Sequence, residues 1–119
     1  MCRTKRELGN AAEDRAVKFL LSQNYQLITR NFFYRTGEID VITYDQLHCQ
    51  IVFVEVKSLK NEDYISITQT ISQAKKRKII KTCLYWLQKH GKINHDWRID
   101  FIGIVLDNSN VVHIQSAIY

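Results

Sequence analysis

Apolar side chains recur along this chain at two periods, and each change of period marks an element boundary. Over NAAEDRAVKFLLSQ (10–23), Ala12, Ala16, Phe19 and Leu20 fall at helical spacing; Asn10 suits the N-cap and Asn24 closes the run. QLITRNF (26–32) then reads as a strand rich in β-formers, and Gly37 in RTGE (35–38) supplies a turn. IDVITY (39–44) is a second strand, DQLH (45–48) a turn, and QIVFVEVKS (50–58) the third and strongest strand. After the polar connection LKNEDYISIT the helical period returns from about Thr70 to His90. Ile71, Ala74, Ile80, Cys83, Leu84 and Leu87 mark its predicted apolar face, and Gly91 stops it. WRIDFIGIVL (97–106) is a fourth strand, and DNSN (107–110) turns it into a fifth, VVHIQS (111–116). The order α-β-β-β-α-β-β predicts an α/β fold with a central mixed five-stranded sheet flanked by helices.

Length adds that this is one domain over residues 1–119, since the chain can bury one core and is too short for two. No run approaches the roughly 18 apolar residues of a membrane span. The basic start MCRTKRELGN is not followed by an apolar segment, which predicts a cytoplasmic address and no membrane partner. Cys2, Cys49 and Cys83 are odd in number and lack CxxC spacing, so free thiols are expected. A net charge of +5 and a pI near 9.2 favour polyanions, nucleic acid first.

The charges inside the strongest strand change the picture most. Period two puts Val52, Val54 and Val56 on one face and Phe53, Glu55 and Lys57 on the other. In GEIDVIT, Glu38 and Asp40 share a face, with Ile39, Val41 and Thr43 opposite. If the two strands are antiparallel neighbours, facing side chains lie about 5 Å apart, so Asp40, Glu55 and Lys57 can surround one point. Two carboxylates that close repel unless a cation stands between them. Hard oxygen donors on rigid strands suit Mg²⁺. The bland alternative is an exposed Glu55–Lys57 pair, worth under about 1 kcal/mol.

Other residues carry two readings each. Asn10-x-x-Glu13 fits a capping box. Glu38, on the same face as Asp40, reads as a turn-edge charge first and as a peripheral ligand second. Lys75, Lys78 and Lys81 form one basic stripe, with Lys76 and Arg77 beside it, which tracks phosphates or is a solvated face. Gln73 lies close to that stripe, and Arg30 and Arg35 flank an FFY run whose Phe32 and Phe33 are expected in the core. Arg98 and Asp100 are expected to form a structural pair at a strand start.

GEID followed by FVEVK resembles the two-part signature of the PD-(D/E)xK nucleases of restriction-endonuclease-like fold. More closely, the chain resembles the YraN-like family of small bacterial proteins assigned to that fold. The likeness runs through GNAAEDRAVKFL, NYQLITRNF, GEIDVIT, IVFVEVKS, SQAKKRKI, WRIDFIGI and IQSAIY. It implies that Asp40 and Glu55 hold Mg²⁺, with Mn²⁺ as a substitute, and that Lys57 is the catalytic lysine. Ile39 stands where the signature has proline. By similarity to the Holliday-junction resolvases, Glu13 would join the metal set, and the protein would work as a homodimer. Lys75 falls on a lysine that recurs in the family and, with Lys78, Lys81, Gln73 and Arg35, would meet nucleic acid. The implied activity is hydrolysis of DNA phosphodiesters, in branched or damaged structures. The rivals are a non-catalytic nucleic-acid-binding module and an RNA-directed or partner-dependent nuclease. A pure binder needs the basic stripe and has no use for paired carboxylates.

Overall fold

In the computed structural model, residues 5–61 and 71–119 are described, with side chains from Asn10 onward within that set. Most of the polar connection expected after the third strand falls on residues 62–70, outside the described residues.

Helix α1 (Lys5–Ser22) leads into β1 (Tyr25–Tyr34), β2 (Gly37–Asp45) and β3 (Gln50–Leu59). Helix α2 (Gln73–Lys89), β4 (Trp97–Val105) and β5 (Val111–Ile114) follow. The expected order α-β-β-β-α-β-β is therefore observed. The five strands form one sheet in sequence order, antiparallel throughout except for the parallel β3–β4 pair that α2 connects. No described helix is long and apolar enough to cross a membrane.

The two helices cover opposite faces. Ala12, Ala16, Val17 and Leu20 of α1 pack on Val41, Val52, Val54, Ile102 and Ile104. Ile79, Cys83, Trp86 and Leu87 of α2 pack on Ile39, Ile42, Ile51, Phe53 and Ile99. Strand β3 alternates as period two requires: its valines face α1, while Phe53 faces α2. Gly103 of β4 lies opposite Lys57 in the register, and a β-carbon there would run into the Leu59 side chain.

Three expectations need correction. Helix α1 begins at Lys5, so Asn10 lies inside it and cannot serve as N-cap; the capping-box reading of Glu13 falls with it. The buried face of α2 is Ile79, Thr82, Cys83, Trp86 and Leu87, whereas Ala74 is exposed and Leu84 is 38% exposed. The helix is thus rotated from the predicted face, because Trp86 fills the space over Phe53 edge-on at 5.7 Å. Finally, Phe33 is not core: it is 68% exposed, while Phe32 packs against the α2 cluster.

A polar network closes the core on the α1 side. Buried Arg98 donates to Asp100 Oδ1 and to Asp45 Oδ2, each at 2.9 Å, and to Tyr25 Oη at 2.6 Å. Fully buried Asp100 also bonds His113 Nε2 at 2.8 Å and accepts from the Ser116 amide at 3.0 Å. The Arg98–Asp100 pair is structural. It ties β4 to the end of β2 and to the segment after β5.

Candidate active site

The site begins where a ladder ends. Strands β2 and β3 are paired from Asp45 opposite Gln50 to Val41 opposite Val54, and no further. The next β2 residue is Asp40, and its Oδ2 accepts the Val56 amide hydrogen at 2.8 Å. A side-chain carboxylate thus stands in for the backbone acceptor that continued pairing would supply. Alternation breaks at the same point: Val41 packs under α1 and Ile39 under α2. The expectation that both share a face is corrected accordingly. Asp40 sits between them, at the mouth of a gap in the sheet.

On the α2 side this gap opens into a cleft of about 430 Å³, lined by Asp40, Glu55, Lys57, Lys75, Lys78 and Glu38 among others. Thr36 and Gly37 form one wall. That hairpin end is pinned to α2 by the Thr36–Thr82 hydroxyl pair at 2.6 Å and by stacking of Tyr34 on Tyr85. The opposite wall is the start of α2, capped by Ser72, whose hydroxyl accepts the Lys75 amide hydrogen at 3.1 Å.

Like charges crowd one another in this cleft. Glu55 is 7% exposed, and its Oε1 is buried without a hydrogen-bond partner among the described residues. Burial first, and then the nearby Asp40 carboxylate, push its proton affinity up to about 8, against the opposing pull of Lys57 and Lys75. Asp40 is raised as well, by burial, with its hydrogen bond from Val56 working the other way. Lys75 is lowered by partial burial and by the neighbouring Lys57 charge. Three carboxyl groups and three amines therefore line one space, with Asp40 beside Glu55 and Lys57 beside Lys75.

This donor set fits a hard divalent cation. An orphaned carboxylate oxygen beside a second, half-buried carboxylate is costly, and a cation between them removes the cost. The expected third ligand is not gathered with them. Among the described residues no three His, Cys, Asp or Glu side chains come close enough to hold a metal ion. Glu13 is buried on α1, on the other side of the sheet, and takes two hydrogen bonds at 3.3 Å from Arg30, which also grips Asp14 at 2.7 Å. Its proton affinity is raised by burial and by Asp40, so it feels the site's field through the gap. Sequence spacing gives no signal for the Arg30–Glu13 pair, which joins residues 17 apart.

Of the residues expected to meet nucleic acid, Lys75 and Lys78 line the cleft, whereas Gln73, Lys81 and Arg35 do not. Gln73 and Lys81 are exposed on α2. Arg35 lies over the Tyr34 ring at 5.5 Å, outside the cleft at the hairpin end. Thr36, Gly37 and Ile79 also line the cleft wall, and none of them stands out in the sequence as a site residue.

Comparison with known proteins agrees with these motifs. The sequence model of a family described as "Uncharacterised protein family UPF0102" matches residues 12–104. A UPF0102 protein of Coxiella burnetii (strain RSA 493 / Nine Mile phase I) is 38% identical over 113 residues, covering 94% of this chain and 92% of its own. One from Persephonella marina is 40% identical over 109 residues, covering 92% and 90%. Among solved structures, "Structure of EndoMS-dsDNA2 complex" overlays with a TM-score of 0.44 at 12% identity, covering 82% of this chain and 38% of that one. A repair endonuclease from Pyrococcus abyssi overlays with a TM-score of 0.44 at 13% identity, covering 92% and 41%. This chain thus spans about two fifths of either solved chain.

Proposed function

This chain belongs to the family described as Uncharacterised protein family UPF0102, and we propose that its α2-side cleft is a magnesium-dependent phosphodiesterase site acting on nucleic acid, DNA above all. One observation carries the reading: Glu55 Oε1 is buried without a partner among the described residues, beside a second carboxylate, in a cleft that also holds Lys57 and Lys75. A binding module would gain nothing from that arrangement and would pay its desolvation cost.

Asp40 and Glu55 would hold Mg²⁺; Mn²⁺, which takes the same oxygen donors, would substitute. Bound there, the ion would supply neutralisation of charge on the phosphoryl group and acidification of water. Lys57 acts on the phosphoryl oxygens as a fixed positive charge from the end of a buried strand. Lys75 and Lys78 extend that field along α2 and hold the flanking phosphate of the strand. Asp40 is oriented by the Val56 amide, so one of its oxygens is fixed and the other is left to the cleft. Glu55 must give up a proton to take part. Branched or damaged DNA as the preferred substrate follows from the family resemblance alone and is part of the proposal.

Calorimetric titration of the protein with Mg²⁺ in two buffers of different ionisation enthalpy tests this. The reading expects one ion bound per chain, with a proton released near neutral pH and an affinity that rises as pH increases toward about 8. Absence of divalent-ion binding, or binding undiminished in Glu55→Gln, would overturn it.

A further inference from the structure

The gap at Asp40 opens on both faces of the sheet. On the α1 side it leads into a second cleft of about 460 Å³ that shares Asp40, Glu38 and Val56 with the first. Its distinctive residues are Asn10, Glu13, Asn31 and Phe33, so that with Glu38 and Asp40 three carboxylates line it. Phe33 is 68% exposed, an aromatic ring left largely in water beside a polar cavity. Asn31 takes a left-handed backbone conformation, φ +54°, with its side chain near enough to Glu13 to lower that carboxyl's proton affinity slightly. No cation is found among the described residues that line this cleft. Nearby Arg30 is already committed to Glu13 and Asp14.

A phosphate is repelled by such walls, so the occupant is not backbone. A flat, neutral group that stacks on a ring and offers N–H donors to carboxylates and carboxamides is favoured instead. We propose that the second cleft receives an unpaired nucleobase of the strand whose phosphate lies in the first cleft. Phe33 stacks on the base, and the acidic rim selects bases that carry an amino group over thymine and uracil. This rests on the first cleft being a nucleic-acid site. It goes further by assigning a specificity pocket, with Phe33 as a residue that touches substrate. Stacking on one aromatic ring is worth about tenfold in affinity. The reversal of hydrogen-bonding sense at the exocyclic position, amino in cytosine and carbonyl in thymine, sets the selectivity.

The test is fluorescence anisotropy with end-labelled oligo-dC and oligo-dT of equal length, in Ca²⁺ at low salt and mildly alkaline pH. Both are flexible pyrimidine strands that differ at the position the rim would read. Wild type should bind oligo-dC about tenfold more tightly than oligo-dT. Phe33→Ala should lose about tenfold on oligo-dC, while Phe33→Trp retains the wild-type affinity and preference. Phe33 is exposed, so both variants should keep the wild-type circular dichroism. Equal affinity for the two strands, or no loss in Phe33→Ala, overturns the pocket while leaving the first cleft's role intact. Failure of wild type to bind either strand overturns both.

Discussion

The Asp40 carboxylate accepts the Val56 amide hydrogen at 2.8 Å, one residue beyond the last β2–β3 pair. The same contact ends the ladder, opens the gap in the sheet and fixes one oxygen of the central acid. Asp40→Asn keeps an oxygen for Val56 and removes the charge. The variant should fold, bind Mg²⁺ at least about tenfold more weakly, and let the Glu55 proton leave at lower pH, because Asp40 is one cause of its retention. Carboxyl-carbon NMR titration of Glu55 checks this; an unchanged midpoint would contradict the coupling.

Glu55 also makes stability depend on pH with a definite sign. Its proton affinity rises from an ordinary 4.5 to about 8 on folding, so between those values the folded state holds more protons than the unfolded one. Stability contributed by this group is therefore greatest below about 4.5, declines as pH rises through the window, and is flat above about 8. Glu55→Gln should remove that decline and be the more stable protein in alkali by more than about 1 kcal/mol. Urea denaturation of both proteins across the window measures the difference.

The Arg98 network sets the acid limit. Burial opposes ionisation of Asp45, but hydrogen bonds from His48 and Arg98 outweigh it and hold its affinity down to about 2 from 3.8. That group's stabilisation is present above 3.8 and is lost as pH falls toward 2. Arg98→Met leaves Asp45 and Asp100 buried without their guanidinium and should cost about 3–5 kcal/mol. Equilibrium denaturation near neutral pH gives the number, and a loss below about 1 kcal/mol would show the network to be dispensable.

Gly103 keeps β4 clear of Leu59. Gly103→Ala should destabilise by about 1–3 kcal/mol through that collision, and by less when Leu59→Ala is already present. Thermal unfolding of the two singles and the double completes the cycle.

Period two was enough to separate the valine face of β3 from Phe53, Glu55 and Lys57, because β3 is flanked on both sides and its alternation is undistorted. The same rule failed in β2. There the side chain of Asp40 replaces a ladder bond, and Ile39 and Val41 go to opposite helices, which no local hydropathy records. Asn10 has the chemistry of a cap, yet nothing after it marks where the preceding turn of α1 already begins. Phe33 was misplaced for a related reason: an aromatic at a strand position reads as core unless one knows which face remains uncovered. The Arg30–Glu13 tie depends on how α1 lies over β1, a tertiary fact with no signature in spacing.

The central claim is hydrolysis at the Asp40–Glu55–Lys57 cleft. It is tested most directly by incubating labelled single-stranded, duplex, flap and four-way-junction DNA, with RNA alongside, in Mg²⁺ or Mn²⁺ at low salt, using wild type and Lys57→Ala. The account predicts metal-dependent cutting of DNA by wild type and a loss of at least about a hundredfold in the variant. No cutting of any member by wild type, or equal cutting by the two proteins, would contradict it.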